Sequence, residues 1–274
     1  LATRSKMFCG CEAAFGRPPN SCCCPVCAGL PGALPSLNGR AVELAVTAAL
    51  ALGCEVERNT RFDRKNYCYP DLPKAYQISQ LYAPLARDGY LDLPGGKRIR
   101  IHEMHLEEDA GKLTHTDDGV EVDLNRCGVP LIEIVSEPDI RSPEEAKAYL
   151  TALRERLVYA DVSDCKMNEG SMRCDVNLSV RPVGASDFGT RTEIKNINSI
   201  AFAGKAIEYE FARQRYIINA LSLKLPNRNM SLHQDTLCLS SPLKVWKFSE
   251  LCVLHHFFYQ VLVHRDPFLH GQGQ

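Results

Sequence analysis

KRIRIHEMHLEED, residues 97–109, carries the clearest pattern in the chain. Apolar and polar residues alternate along it with the period of two that a half-buried β-strand requires. The apolar phase changes near His102, passing from Ile99 and Ile101 to Met104 and Leu106. A bulge or bend is expected there, and it would re-aim the acidic end made by Glu107, Glu108 and Asp109, as bulges beside functional sites do. Three adjacent acids repel one another unless they are solvated, protonated or holding a cation. On charge alone a solvated strand end is the favoured reading, since most charge runs are solvated.

Working outward, RCDVNLSVRP (173–182) alternates Cys174, Val176, Leu178 and Val180 against Asp175, Asn177 and Ser179. After a turn-rich stretch, TRTEIKNI (190–197) alternates again, so the two are expected to pair as an antiparallel hairpin. VPLIEIVS (129–136) is a short apolar strand interrupted by Glu133. A carboxylate amid Leu131, Ile132, Ile134 and Val135 must be paired, metal-bound or protonated, because an unpaired buried charge is very costly. Three helices separate these strands. Asn38 caps the first, which ends at Gly53. Ser142 caps the second, with Pro143 in its first turn, Glu145 closing a capping box, and Ala146, Tyr149, Leu150, Leu153 and Leu157 at helical spacing. Ser199 caps the third, through IAFAGKAIEYEFARQR (200–215). The class expected is α+β, an antiparallel sheet with helices on one side.

The chain has 274 residues, 45% hydrophobic and 24% charged, which is ordinary globular material for one large or two medium domains. No apolar run approaches the roughly 18 residues of a membrane span, and no signal-like segment opens the sequence, so no membrane association is expected. A net charge of -1 provides no global basic field, so any nucleic-acid partner must be met by a local patch or another subunit. Most of the 13 cysteines are scattered singly, as in a reduced intracellular protein. In CGCEAAFGRPPNSCCCPVC (9–27), however, Cys9 and Cys11 pair with Cys24 and Cys27 across a Gly- and Pro-containing loop. Two close thiol pairs separated by a loop suit a closed, structural tetrathiolate zinc site. Cys22 and Cys23 crowd the second pair and leave the ligand register open by one or two residues.

From Ile217 onward, residues 217–274 hold five of the eight histidines and the only tryptophan, with no sustained helical or strand period. We expect residues 1–216 to form the domain, and 217–274 to be a non-homologous tail, disordered or arising from a frameshift, a retained non-coding stretch or an assembly artefact. The alternative is a divergent extension.

No Gly-rich P-loop is present to cradle phosphate. An alternative is Mg²⁺ held by strand carboxylates, with Lys and Arg steadying phosphate oxygens. Glu107, Glu108, Asp109 and Glu133 supply the carboxylates, and Arg64 and Lys65 lie in a Pro- and Tyr-rich loop.

The blocks FDRKNYCYPDLPKAYQISQ (62–80), HLEEDAGKLTH (105–115), DLNRCGVPLIEIVSEPDIRSPEEAKAYL (123–150), VSDCKMNEGSMRCDVNLSVRP (162–182) and GTRTEIKNINS (189–199) carry a family likeness. In order and spacing they resemble the signature blocks of the GatB/GatE family, the B subunits of aspartyl/glutamyl-tRNA(Asn/Gln) amidotransferase, from Leu1 to about Arg215. The cysteine pairs resemble a zinc knuckle found in a subset of that family. The resemblance implies a carbon–nitrogen ligase of protein biosynthesis. It implies ATP- and Mg²⁺-dependent phosphorylation of the side-chain carboxylate of Glu-tRNA(Gln) or Asp-tRNA(Asn), then displacement of phosphate by ammonia. Ammonia would come from a glutaminase A subunit through a channel, with a small C subunit that braces the complex. The implied fold is a cradle similar to glutamine synthetase. Glu108 and Glu133 would hold Mg²⁺ beside Glu107 and Asp109, while Lys65 and Arg64 would serve phosphate or the channel mouth. This directs attention away from His102 and His105, because the family's metal-site histidine lies on an E-x-H-x-E strand expected just before Leu1. The family's helical and tRNA-contacting domains are expected to be replaced by the tail, so the chain is expected to be truncated at both ends and unable to complete the reaction alone. The compartment implied is the bacterial cytoplasm, or alternatively a mitochondrion or plastid. Two other readings are a free-standing ATP-dependent carboxylate-amine ligase and a zinc-braced nucleic-acid-binding module, the latter disfavoured by strands studded with Glu and Asp.

Overall fold

The alternation at 97–109 folds as one long strand, around which the other elements assemble. The computed structural model describes residues 1–224 and, as backbone, 252–262. A cysteine-rich loop leads into α1 (Gly39–Ala51), followed by β1 (Glu55–Val56), β2 (Asp63–Asn66), β3 (Tyr76–Ser79) and β4 (Ala86–Asp92). Next come β5 (Arg98–Glu108), β6 (Lys112–Thr116), β7 (Gly119–Asp123), β8 (Pro130–Ser136) and α2 (Pro143–Tyr159). The series closes with β9 (Arg173–Val180), β10 (Thr192–Ile197), α3 (Ile200–Lys224) and β11 (Cys252–Leu262). Among the described residues one sheet runs in the order β1-β4-β5-β8-β11-β9-β10, and β2–β3 and β6–β7 form separate hairpins. Every pairing among them is antiparallel. The α+β class therefore holds, with antiparallel sheets and flanking helices.

The phase change in β5 is a bulge. Against β8 the register shifts between Ile101, opposite Ser136, and Glu103, opposite Val135. The extra residue keeps Ile99 and Ile101 in the core before it and Met104 and Leu106 in the core after it. These join Ile132 and Ile134 of β8 and Cys174, Val176 and Leu178 of β9 against Leu44 and Ala48 of α1, Tyr149 and Leu153 of α2, and Ile207 and Phe211 of α3. Each fully buried Leu, Ile or Val in that layer contributes about 1.5–3 kcal/mol. After the bulge, Glu103, His105, Glu107 and Asp109 share the opposite face, by the two-residue period of a strand.

Local signals account for the helix starts. Asn38 Oδ1 accepts from Arg40 and Ala41 N–H at 3.0 and 3.4 Å, and Ser142 Oγ accepts from Glu145 N–H at 3.1 Å. The capping box differs in detail, because Glu145 reaches back to the N–H of Arg141, at 2.7 Å, rather than to that of the cap.

The stretch after 216 differs from an unpatterned tail in two places. α3 continues unbroken through Lys224, and residues 252–262 form β11 between β8 and β9. The β11 sequence CVLHHFFYQVL lacks the alternation that marks a half-wet strand, whereas an interior strand can read as a nearly continuous apolar run. The rest of that stretch, residues 225–251 and 263–274, lies outside the described residues. No helix among the described residues is long and apolar enough to cross a membrane.

Candidate metal and catalytic centre

The pairing of β5 with β8 sets His105 opposite Glu133, and Glu107 lies two residues along β5 on the same face. All three are buried, at 4%, 8% and 1% exposure for His105, Glu133 and Glu107. His105 Nε2 stands 3.5 Å from Glu107 Oε1 and 3.6 Å from Glu133 Oε2, and Nδ1 stands 3.5 Å from Glu103 Oε1. These separations exceed good hydrogen bonds, and Nδ1 makes none. One ligand atom from each of His105, Glu107 and Glu133 lies within 4.8 Å of the others. A buried, loosely paired set of two carboxylates and an imidazole is what a single cation would tighten.

The electrostatics separate the three groups. Burial alone would lower the His105 pKa, but Glu103, Glu107 and Glu133 together hold it well above the usual imidazole range. Burial raises Glu107, yet His105, Ser79 and the charge of Lys65 bring it below its ordinary value. For Glu133 burial prevails, with the charge of Glu107 adding to it against His105 and Lys65, and its pKa is raised.

The other residues singled out in the sequence fall into distinct places. Glu108 turns to the opposite face of β5, where it pairs with Lys74 and accepts from Ile78 N–H at 3.1 Å. The fold therefore does not bring Glu108 together with Glu133. Asp109 is held by Arg126 at 3.2 Å and Arg173 at 3.3 Å. On β2, Lys65 acts electrostatically on Glu107 and Glu133, whereas Arg64 stacks over the Tyr76 ring at 4.7 Å. Beyond Met104 the β5 edge is covered by side chains from β3 and the residue after it: Leu106 N–H donates to Gln80 Oε1 at 2.9 Å, and Gln77 Nε2 donates to Glu108 O at 2.8 Å. Sequence reasoning passed over His105. The signal that could have found it is parity, since His105 and Glu107 share a face that Glu108 cannot.

Cys9, Cys11, Cys24 and Cys27 bring their sulfurs within 4.8 Å of one another, a group that does not include Cys22 or Cys23. A tetrahedral Zn–S site needs sulfurs about 3.8 Å apart, so a small contraction would close this set around zinc. Cys27 is drawn down to about 4, first by a hydrogen bond from Cys9 and further by Lys6. The Lys6 ammonium, wholly buried, donates to Cys22 O at 2.7 Å, Leu124 O at 3.0 Å and Cys27 Sγ at 3.4 Å.

The family model of the GatB/GatE catalytic domain matches residues 1–247. The chain belongs to that family. It is 58% identical over 219 residues to the aspartyl/glutamyl-tRNA(Asn/Gln) amidotransferase B subunit of Lachnoclostridium phytofermentans, covering 78% of this chain and 46% of that protein. The B subunit of Lachnospira eligens is 59% identical over 226 residues, 80% of this chain and 47% of that protein. That of Clostridium botulinum is 55% identical over 233 residues, 83% and 49%. The chain thus spans about half the length of the curated relatives it matches. In this GatB/GatE chain the buried Lys74–Glu108 pair and the cysteine cluster are neighbours. Gly128, at φ +85°, sits between them, and a Cβ there would meet Cys27 at 3.6 Å and Glu108 Oε2 at 3.8 Å.

Proposed function

We propose that this chain forms the carboxylate-activating core of a tRNA-dependent amidotransferase, a cradle like that of glutamine synthetase. It would bind ATP, transfer the γ-phosphoryl group to the side-chain carboxylate of Glu-tRNA(Gln) or Asp-tRNA(Asn), and admit ammonia from a glutaminase A subunit, with a C subunit that braces the assembly. Relatives at 55–59% identity that carry this name support the reading. The observation that carries it is the buried His105, Glu107 and Glu133 cluster beside Lys65. We assign the divalent-cation ligands to Glu107 and Glu133, because carboxylate oxygens suit Mg²⁺, and place His105 as the group that orients both. When bound, Mg²⁺ would offset charge on phosphate oxygens during transfer. Lys65 adds positive charge beside these two carboxylates, and Gln77 holds Glu107 at 3.2 Å. Asp109, fixed between Arg126 and Arg173, orients those guanidiniums for anionic oxygens. The four cysteines would hold a closed zinc site that braces the loop against Gly128. The compartment proposed is the bacterial cytoplasm, since the relatives come from bacteria.

The test is Mg²⁺-dependent ATP hydrolysis by the 274-residue chain with A and C subunits supplied. Stimulation by mischarged tRNA, and its loss in Glu133→Gln, is expected. Stimulation by a free amino acid instead would replace the reading with that of a small-molecule ligase. We expect no complete amidation by the chain alone.

A further inference from the structure

Among the described residues Lys6 is the one lysine wholly removed from solvent. An ammonium carries three N–H donors and no acceptor, and three acceptors meet this one: Cys22 O at 2.7 Å, Leu124 O at 3.0 Å and Cys27 Sγ at 3.4 Å. A buried charge requires an opposite charge, because desolvating an unpaired ion is very costly. No carboxylate supplies it. The acids of the adjoining segments are engaged elsewhere, Glu108 by Lys74 and Asp123 by the N–H groups of Asn20 and Asn125. Two of the three acceptors are neutral carbonyls, so Cys27 Sγ is the one that can carry the counter-charge.

The same sulfur meets a second donor, the N–H of Cys24 at 3.1 Å. Four thiolates around Zn²⁺ leave two negative charges in excess, and an ammonium beside one of them offsets half of that excess. Backbone bonds fix Lys6 in this place. Its N–H donates to Cys11 O at 3.0 Å, its carbonyl accepts from Asn38 Nδ2 at 3.2 Å, and Met7 N–H donates to Gly128 O at 2.7 Å. Its stem passes over Gly128, where a Cβ would stand 3.6 Å from Lys6 Cδ. Lys6 therefore touches both cysteine pairs, Cys11 by its main chain and Cys27 by its side chain, and ties them to the turn between β7 and β8.

We infer that Lys6 belongs to the metal site as its outer-sphere cation: the ammonium holds Cys27 in place and offsets the charge of the tetrathiolate, so that zinc and Lys6 stabilise one another. Lys6 is thus a positioning residue for the metal and not a ligand. This rests on the zinc reading of the four cysteines. Bound zinc keeps all four sulfurs anionic, so its loss takes counter-charge from beside the ammonium.

The experiment measures zinc affinity of the full chain by competition with a chromogenic chelator, and Tm with and without zinc. Lys6→Met is expected to bind zinc about 10–100-fold more weakly, the range for partners one shell out from the metal. Lys6→Arg keeps the charge and should recover most of that loss, and Lys205→Met, at an exposed position of α3, should match the wild type. Lys6→Met should lower the Tm of the zinc-loaded protein more than that of the chelated protein. With Co²⁺ in place of zinc, removing the positive charge makes the thiolate electrons easier to transfer, so the sulfur-to-cobalt charge-transfer band should move to longer wavelength in Lys6→Met alone. Unchanged zinc affinity, or equal losses of Tm with and without zinc, would make Lys6 a cap for two carbonyls and overturn the proposal. If Lys6→Met does not fold, the wild type loaded with ¹¹³Cd and labelled with ¹⁵N-lysine decides: a lysine ammonium signal coupled to cadmium is expected, and its absence overturns the proposal. A wild type that binds no zinc removes the reading of the cysteine site as well, whereas zinc binding that Lys6→Met equals removes Lys6 alone.

Discussion

Replacing Lys74 by Met tests the assignment of the acidic centre. The Lys74 and Glu108 side chains are 10% and 3% exposed, so the pair is almost wholly desolvated. Burial pushes the Glu108 pKa up, and Lys74 with the Ile78 N–H only partly opposes that push. Deleting one partner of a buried pair costs about 3–5 kcal/mol. Here the carboxyl can escape by taking a proton, and its Ile78 bond remains, so the lower end of that range, about 3 kcal/mol at pH 7, is expected. Urea unfolding followed by circular dichroism would register this as a midpoint lowered by about 1 M. The sign with pH follows from the raised folded pKa. Lys74→Met raises it further, so the variant's deficit is full above its own folded value, shrinks as pH falls through that value, and vanishes below the wild type's folded value. The double variant Lys74→Met/Glu108→Gln removes the stranded charge and should recover at least half the loss. It should also bind divalent cation as the wild type does, whereas Glu133→Gln should not. A Lys74→Met protein as stable as the wild type at pH 7, or a double variant that loses the cation, would refute the placement of Glu108 outside the centre.

Other perturbations follow from the same packing. Glu210, raised by burial but lowered overall by Arg213, Gln214 and Thr192, ties α3 to β10; Glu210→Gln should cost about 1–2 kcal/mol at pH 7 by thermal unfolding. Because its folded pKa is depressed, that contribution is present above the unfolded value and should be lost as pH falls through the folded one. Asn38→Ala should cost about 2 kcal/mol in urea rather than the usual ~1 for a cap, since Asn38 Nδ2 also donates to Ser5 O at 3.1 Å and Lys6 O at 3.2 Å. Elemental analysis should find one zinc per chain, lost in Cys27→Ser, and a chelator should lower the Tm of the wild type but not of that variant. Ending the chain at Ala220 leaves the β8 and β9 edges without β11, and light scattering should show increased aggregation.

The helices were legible because their information is local: Asn38, Ser142 and Ser199 cap the elements that follow them, and the periodicity of 143–159 needs no tertiary context. β5, β8, β9 and β10 were legible for the same reason, as was the β5 bulge, which shows as a phase change. β11 was not, since an interior strand lacks alternation and pairs with segments more than seventy residues away in sequence. The cysteine pairs were readable from spacing, but the choice of Cys24 and Cys27 over Cys22 and Cys23 needed the loop geometry.

For the acidic stretch the division is sharper. The sequence by itself determined a strand carrying His105, Glu107, Glu108 and Asp109, a second strand with a stranded Glu133, and the family blocks around both. Which acid faces which partners depends on chain brought in from elsewhere in the fold. Successive strand residues point to opposite faces, so Glu107 and Glu108 cannot share a site, and what waits on each face comes from remote chain: Glu133 beside His105 on one, Lys74 beside Glu108 on the other.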